Sequence, residues 1–230
     1  MINDKKILAI IPARGGSKGV LRKNLRSVAG KPLIAWSIEE AKKSKYIDHL
    51  ILSTEDTEII TTAEEYGCDV PFVRPIHLAE DDTPGIAPVL HALEHMPAFD
   101  YVMLLQPTSP LRSVLDIDLC IERCEENNAV SSVSVNISGK SPFWMYTLDH
   151  NKMKPVINQV EISSRRQNLP DVYELNGAIY IAQTEWLIEN RTFLHDETLP
   201  FVIPKERSYD IDTEEDLLIC DLILRHRGIQ

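Results

Sequence analysis

The sequence predicts an α/β domain in which helices cover both faces of a mostly parallel β-sheet, with one small inserted lobe. Short apolar runs alternate with amphipathic helical patterns, which is typical of βαβ units. The runs are apolar at nearly every position, as expected of strands that are buried on both faces. A length of 230 residues fits a single domain spanning residues 1–230, with a modest insertion.

The first half of the chain contains three predicted strands and three predicted helices. The strands are predicted at residues 6–12, 49–53 and 101–105. The helices are predicted at residues 32–43, 56–66 and within 84–95. Asp56 is placed to cap the second helix and Gly67 to end it, and residues 71–74 indicate a short extended piece.

The second half repeats the pattern around a more polar stretch. Further strands are predicted at residues 129–135 and 176–182. Two capping boxes, Ser113 with Asp116 and Thr213 with Asp216, predict helices that end near residues 127 and 227. Residues at about 137–172 are polar and irregular, so we interpret them as the inserted lobe, an excursion from the sheet with a small β flap.

The composition excludes several classes of protein. With 24 Lys+Arg against 35 Asp+Glu, the formal charge is −11, which argues against a nucleic-acid partner but not against one small anion. No apolar run approaches the roughly 20 residues of a membrane span, and the first residues do not form a signal peptide. The four cysteines form no CxxC pair and are expected to be reduced. We therefore expect a cytoplasmic protein without a membrane partner.

Basic residues are concentrated in the loop after the first strand. Residues 13–24 read ARGGSKGVLRKN, and they contain four cations and three glycines, namely Arg14, Lys18, Arg22, Lys23, Gly15, Gly16 and Gly19. Glycines allow tight turns that present backbone N–H groups to an anion, and the cations add charge. The spacing fits neither a Walker A loop nor a dinucleotide fingerprint. The loop predicts a polyphosphate site, and the alternative is an ordinary solvated glycine-rich turn.

Two later segments also carry candidate functional residues. Asp210 and Asp212 alternate along an extended segment, so both carboxylates can face one Mg²⁺ ion. In the alternative interpretation, Asp212 helps Thr213 to cap the last helix. In residues 106–112, QPTSPLR, two prolines fix the turn and hold Gln106 and Arg112 on a rigid loop. Arg112 could instead pair with an acid on the following helix.

The motifs together resemble one enzyme family. Residues 10–24, IIPARGGSKGVLRKN, resemble the pattern I-x-A-R-x-G-S-K-G-[IV]-x-x-K-N of the acylneuraminate cytidylyltransferases, the CMP-sialic acid synthetases. Leu21 departs from the Pro or Lys of many relatives. Further resemblances follow in the expected order at residues 30–33 (GKPL), 53–56 (STED), 74–75 (RP), 78–79 (LA), 81–83 (DDT), 105–112 (LQPTSPLR), 176–180 (NGAIY) and 210–213 (DIDT). The resemblance implies a three-layer, Rossmann-like nucleotidyltransferase fold whose lobe serves dimerisation.

The resemblance also implies an activity and its residues. The family joins CTP to a nine-carbon α-keto acid sugar and releases pyrophosphate. The implied nucleotide-binding residues are Ala13, Arg14, Gly15, Gly16, Ser17, Lys18, Lys23, Asn24, Arg74 and Thr83. The implied catalytic residues are Arg14, Lys18, Lys23 and Asp212, and the implied ligands of Mg²⁺ (or Mn²⁺) are Asp210 and Asp212. The implied sugar-binding residues are Gln106, Lys140, Arg165, Arg166, Gln167 and Tyr173.

Some alternatives stay open at this point. The acceptor can be sialic, legionaminic or pseudaminic acid. A cytidylyltransferase for an eight-carbon keto acid, or a non-catalytic nucleotide-binding domain on the same fold, are the competing hypotheses. Family members are homodimers, and the apolar cluster at residues 143–146 is consistent with an interface or with packing on its own subunit.

Overall fold

The computed structural model describes residues 1–157 and 168–228 as a central sheet with helices on both sides. The strands in this part of the chain are β1 (Ile7–Pro12), β2 (Ser27–Val28), β3 (Lys31–Pro32), β4 (His49–Ser53), β5 (Tyr101–Leu104), β6 (Ser131–Ile137), β7 (Tyr146–Asp149), β8 (Lys152–Pro155), β9 (Tyr173–Gln183) and β10 (Leu199–Val202). The α-helices are α1 (Leu33–Lys42), α2 (Thr57–Glu65), α3 (Ala87–His95), α4 (Val114–Glu126), α5 (Thr184–Asn190) and α6 (Glu214–Arg227). None of these helices is long and apolar enough to cross a membrane.

Six strands form the central sheet in the order β10-β6-β9-β5-β1-β4. Strand β1 pairs in parallel with both β4 and β5, and β10 pairs in parallel with β6. Strand β9 lies between β5 and β6 and runs antiparallel to both. The prediction of a mostly parallel sheet is therefore confirmed, with β9 as the exception.

Both faces of the sheet are buried, which explains why the strands are apolar throughout. Along β1, Ile7, Ala9 and Ile11 belong to one core cluster and Leu8 and Ile10 to another, because successive side chains point to opposite faces. Residues of α1, α2 and α4 pack in the first cluster, and residues of α3 and α5 pack in the second. The predicted three layers are confirmed.

The local signals for helix ends are confirmed in detail. Asp56 accepts hydrogen bonds from the backbone N–H groups of Glu58 and Ile59 and so caps α2, and Gly67 adopts a φ of +69° after its end. The capping boxes of Ser113 and Thr213 open α4 and α6.

Several boundaries differ from the prediction. Helix α5 and strand β10 were not predicted, and β9 begins at Tyr173, three residues before the predicted start at residue 176. Strand β10 contains Pro200, which is tolerated because β10 lies at the sheet edge. The extended piece at 71–74 forms no strand, although the Arg74 backbone N–H donates to the Thr54 carbonyl at 2.8 Å.

The described part of the predicted lobe contains a β-hairpin formed by β7 and β8. Leu148 lies directly opposite Met153 in this hairpin, and Tyr146 lies opposite Pro155 on the same face. Leu148 is 78% exposed and Met153 63% exposed. The hairpin agrees with the predicted β flap, and it presents an apolar face to solvent.

Candidate active site

A cleft of about 580 Å³ lies at the carboxyl ends of the parallel strands β1 and β5, where α/β sheets generally bind ligands. Eight of the residues predicted from the sequence line it, namely Arg14, Gly16, Ser17, Lys23, Asn24, Arg74, Thr83 and Gln106. Lys18 lines an adjoining cavity beside Arg14 and the acidic residues 80–82. The structure therefore brings most of the predicted nucleotide residues together.

We call residues 13–24, the loop after β1, the phosphate loop after the site that the sequence predicts there. An acidic residue from a distant loop pairs with two of its cations. Asp81 contacts Arg14 Nη1 at 2.8 Å and Lys18 Nζ at 2.7 Å. The hydrogen bond from Lys18, with a second from Arg14, lowers the pKa of Asp81 below its ordinary value. Because a phosphate group would need the same donors, a polyphosphate that binds here must replace the Asp81 carboxylate.

Lys23 joins the phosphate loop to the segment that carries the two aspartates. Its Nζ donates to the carbonyl of Ile211 and lies 3.2 Å from Asp212 Oδ1. The side chain of Lys23 is 13% exposed, whereas that of Asp212 is 76% exposed. The ammonium group is therefore fixed by backbone and carboxylate together at the edge of the cleft.

The cap of the last helix does not use the side chain of Asp212. Thr213 Oγ1 accepts from the Asp216 backbone N–H at 3.2 Å, and Asp216 Oδ2 accepts from the Thr213 N–H at 2.8 Å. The backbone N–H of Asp212 also donates to Asp216. The carboxylate of Asp212 faces Lys23 instead, so the interpretation of Asp212 as a helix cap is wrong.

Asp210 lies deeper than Asp212, with the fully buried Ile211 between them. Burial raises the pKa of Asp210, and the charge of Asp212 adds to the increase, while a hydrogen bond with Thr108 and the charge of Lys23 oppose it. Its buried Oδ1 has no hydrogen-bond partner among the described residues. A buried oxygen without a partner is expected to bind a ligand.

The two aspartates fit a magnesium ion. Mg²⁺ is commonly held by one or two carboxylates together with substrate phosphates and waters. Within residues 1–157 and 168–228, no group of three or more His, Cys, Asp and Glu side chains is arranged to hold a metal ion. Two carboxylates alone would hold such an ion only together with ligands from a bound substrate or water.

The three glycines of the phosphate loop have different surroundings, and the N–H group of Gly15 is not presented to an anion as expected. The Gly15 N–H donates to Glu55 Oε1 at 2.7 Å, and a Cβ atom at residue 15 would lie 2.3 Å from Asp56 Oδ2. A Cβ atom at Gly19 would lie 2.0 Å from the carbonyl oxygen of Asp212. Gly15 and Gly19 therefore permit close packing, and Gly16, which has open space around it, remains the candidate for anion contact.

Two buried polar side chains of the cleft each have an atom without a partner among the described residues. Asn24 donates to the Arg14 carbonyl at 2.9 Å, which leaves the buried Asn24 Oδ1 without a partner among the described residues. Arg74 is 3% exposed, and its Nε also lacks a partner in this part of the chain. The Thr83 hydroxyl donates to the His77 carbonyl. These groups suit a polar ligand such as a nucleoside.

Arg112 is fully enclosed behind the loop that follows β5. Its guanidinium donates to the carbonyls of Gln106 at 3.2 Å and Ala178 at 2.6 Å, and to Ser37 Oγ at 2.7 Å. Burial lowers the pKa of Arg112 to about 10. The alternative in which Arg112 pairs with an acid of the following helix is therefore wrong, since its direct contacts are neutral oxygens that fix the Gln106 loop to β9.

Three of the predicted sugar residues belong to the described part of the chain, and the structure does not bring these three together at the cleft. Among them, Gln106 lines the cleft, whereas Lys140 and Tyr173 are exposed in the lobe region and do not line it. Arg165, Arg166 and Gln167 lie outside the described residues.

The prediction from sequence missed one wall of the cleft. That wall is formed by Tyr180 of β9 and by Arg191, Thr192, Phe193 and Leu194 after α5. Tyr180 belongs to the NGAIY motif, which was a usable signal for its position. Residues 191–194 follow a seven-residue helix that was not predicted, so nothing in the sequence located them.

Comparison with known proteins assigns the family. The sequence matches the family described as cytidylyltransferase over residues 8–209. It is 38% identical over 227 residues to the CMP-N,N'-diacetyllegionaminic acid synthase of Legionella pneumophila, covering 95% of this chain and 96% of that protein. It is 34% identical over 225 residues to the pseudaminic acid cytidylyltransferase of Campylobacter jejuni serotype O:23/36, and the match covers 96% of this chain and 97% of that protein.

The fold has a counterpart among solved structures. The structure of CMP:2-keto-3-deoxy-manno-octonic acid synthetase complexed with CTP superposes with a TM-score of 0.74 at 15% identity, covering 96% of this chain and 99% of that one. The fold and the family together define the chain as a nucleotidyltransferase. More narrowly, the chain belongs to the cytidylyltransferase family, which confirms the resemblance seen in its motifs.

Proposed function

We propose that the protein transfers CMP from CTP to the anomeric hydroxyl of a nine-carbon α-keto acid sugar and releases pyrophosphate. The observation that best supports this reaction is the contact between Asp212 and Lys23, a residue of the cationic loop that lines the cleft. The near full-length similarity to enzymes named for legionaminic and pseudaminic acid supports the class of acceptor.

The proposed reaction is a displacement at the α-phosphorus. The anomeric oxygen forms the new bond while the bond to the pyrophosphate oxygen breaks, and negative charge accumulates on the leaving group. Arg14, Lys18 and Lys23 neutralise that charge, and Gly16 and Ser17 contact the phosphates. Such transfers depend mainly on positioning and charge neutralisation, and held cations provide both.

We also propose that Asp210 and Asp212 hold Mg²⁺, with Mn²⁺ as the other candidate. When bound, the ion supplies positive charge next to the phosphates of CTP. The carboxylate of Asp212 is the better candidate to orient the attacking hydroxyl, because it is exposed and lies beside Lys23 at the edge of the cleft. The base and ribose would contact Asn24, Arg74 and Thr83.

The sugar is proposed to bind between Gln106 and the wall that carries Tyr180 and Phe193. Its carboxylate requires a cation, and Lys140, Arg165 and Arg166 are the candidates, together with Gln167 and Tyr173. Because Lys140 and Tyr173 do not line the cleft of their own chain, we propose that they serve the cleft of a second copy.

The proposed assembly is therefore a homodimer that uses the apolar face of the β7–β8 hairpin. A mixing experiment tests whether the lobe acts across the interface. Lys23→Ala and Lys140→Ala are each expected to be nearly inactive alone, and a refolded mixture is expected to regain activity because one cleft of each heterodimer is intact. A mixture that stays inactive would show that Lys140 serves its own subunit, and full activity of Lys140→Ala alone would show that Lys140 has no role.

The proposed reaction is tested by pyrophosphate release with CTP and Mg²⁺. The acceptor panel contains N-acetylneuraminic, legionaminic and pseudaminic acids, with an eight-carbon keto acid as the competing substrate. We expect release with a nine-carbon acid and little with the eight-carbon acid. Binding of CTP without release from any acceptor would favour a non-catalytic nucleotide-binding domain. We propose a cytoplasmic location, with neither a nucleic-acid nor a membrane partner.

A further inference from the structure

The segment that follows β4, residues 54–56, has no part in the proposed reaction. Within it, Glu55 contacts two parts of the cleft that are far apart in sequence. Its Oε1 accepts from the Gly15 N–H of the phosphate loop at 2.7 Å. Its Oε2 accepts from Arg74 Nη2 at 2.7 Å. One carboxylate therefore links the backbone of the phosphate loop to the guanidinium of Arg74, which lines the cleft.

Both members of the Glu55–Arg74 pair are shielded from water. The Arg74 side chain is 3% exposed and that of Glu55 is 15% exposed. Shielded pairs are weakly screened, and removal of one partner leaves the other as an unpaired buried charge. The backbone N–H of Arg74 also donates to the carbonyl of Thr54, the residue before Glu55. Arg74 is thus held by its backbone and its side chain to the same short segment.

We infer that Glu55 is a positioning residue for the nucleotide, which fixes the Arg74 guanidinium at a set distance from the phosphate loop. This inference rests on the proposed function, since Arg74 is there assigned to the nucleoside and the loop to the phosphates. The next residue, Asp56, has a different task, because it caps α2 and pairs with Arg22. Glu55 acts through its neighbours and does not need to touch the nucleotide.

The variant Glu55→Gln separates the two contacts of this side chain. The amide oxygen can still accept from the Gly15 N–H, but the amide NH₂ group then faces the Arg74 guanidinium, donor against donor. The substitution therefore keeps the size and the link to the loop while it breaks the link to Arg74. Glu58→Gln is the matched control, because Glu58 pairs with Arg22 at 2.7 Å on the surface nearby.

The experiment measures binding of CTP and of pyrophosphate by calorimetry to the full-length protein. For Glu55→Gln, we expect the Kd of CTP to rise roughly tenfold or more, since a shielded charge pair loses its partner. The Kd of pyrophosphate is expected to change less than threefold, because pyrophosphate contacts the phosphate loop alone. Glu58→Gln is expected to alter neither value by more than about twofold. In turnover assays the KM for CTP is expected to rise more than kcat falls.

A double-mutant cycle tests whether Glu55 acts through Arg74. In an Arg74→Ala background, Glu55→Gln is expected to have little further effect on CTP binding, because coupled residues are not additive. Equal weakening of CTP and pyrophosphate, additive effects in the cycle, or unchanged CTP binding would each overturn the inference. A wild-type chain that binds no CTP would contradict the proposed function itself, and this outcome is distinct from all of these.

Discussion

The phosphate-loop side of the cleft and the β7–β8 hairpin differ in whether the residues in contact are distant or close in sequence. Beside the phosphate loop, the contacts join distant parts of the chain. Lys23 contacts Asp212, and the Gly15 N–H donates to Glu55. In the hairpin, the described polar contacts are local, such as Lys154 with Asp149, and the apolar face is left open. The residues beside the phosphate loop are therefore paired within their own chain. The apolar face of the hairpin is suited to packing against another copy.

The largest expected effect is a loss of turnover on substitution of Lys23 in the phosphate loop. Lys23→Ala is expected to lower kcat by about 10²–10³-fold, the usual cost of losing a group that stabilises charge in the transition state. Pyrophosphate release measures this, and thermal unfolding should change little by comparison. Lys45→Ala removes a surface lysine that pairs with Glu122 and serves as the control. Turnover unchanged in Lys23→Ala would remove this residue from the mechanism.

A change in the hairpin is expected to affect assembly before chemistry. Leu148→Asp puts a charge in the apolar face of both copies and should weaken the proposed dimer by about 100-fold, given roughly 1.5 kcal/mol or more per buried leucine. Thr147→Asp changes the neighbouring residue on the opposite, polar face and is the control. Sedimentation at several concentrations reports the dimer. A dimer equally stable in both variants would place the interface elsewhere.

A smaller effect is expected when one carboxylate of the Asp210–Asp212 pair is removed. Asp212→Asn is expected to raise the Mg²⁺ concentration required for half-maximal turnover by about tenfold or more. Glu214→Gln, two residues along, removes an exposed carboxylate that pairs with Arg26 and should leave this requirement unchanged. If Asp212→Asn alters thermal stability but not the Mg²⁺ requirement, the assignment of Asp212 to the metal is wrong.

The smallest expected effect is a gain in affinity for CTP, whereas the other substitutions cause losses. Asp81→Asn removes the carboxylate that occupies Arg14 and Lys18, so CTP is expected to bind about two- to fivefold more tightly. The effect is small because these ion pairs are exposed and screened by salt. Asp82→Asn is the control, because it makes the same change of net charge at the adjacent position. Weaker CTP binding in Asp81→Asn would mean that Asp81 itself contributes to the bound state.

The same contrast explains what could be predicted from the sequence. Five of the six strands of the central sheet, both capping boxes and the cation-rich loop depend on neighbouring residues, and the sequence predicts them. The partners Glu55 and Asp81 could not be found, because they reach the loop across 40 or more residues through the sheet topology. The topology also decides the role of Gly19, which the sequence alone assigns to anion contact but which packs against Asp212.

The undetected elements have a physical explanation as well. Helix α5 has seven residues, too few for a clear apolar period, and β10 is a four-residue edge strand that contains proline. The wall formed by residues 191–194 was therefore lost together with them. The contacts of Arg112 are another case, since a buried arginine without a direct acidic partner contradicts the usual expectation for charged residues.

The position of β9 has a consequence for how the protein is made. Strands β5 and β6 are translated long before β9, yet each takes β9 as a neighbour and they do not pair with each other. Until residue 183 has left the ribosome, both strands present open edges that can pair with other chains. The nascent protein is therefore most prone to aggregate while residues 138–183 are being synthesised. A chaperone bound during this window would cover the open edges until β9 completes the sheet.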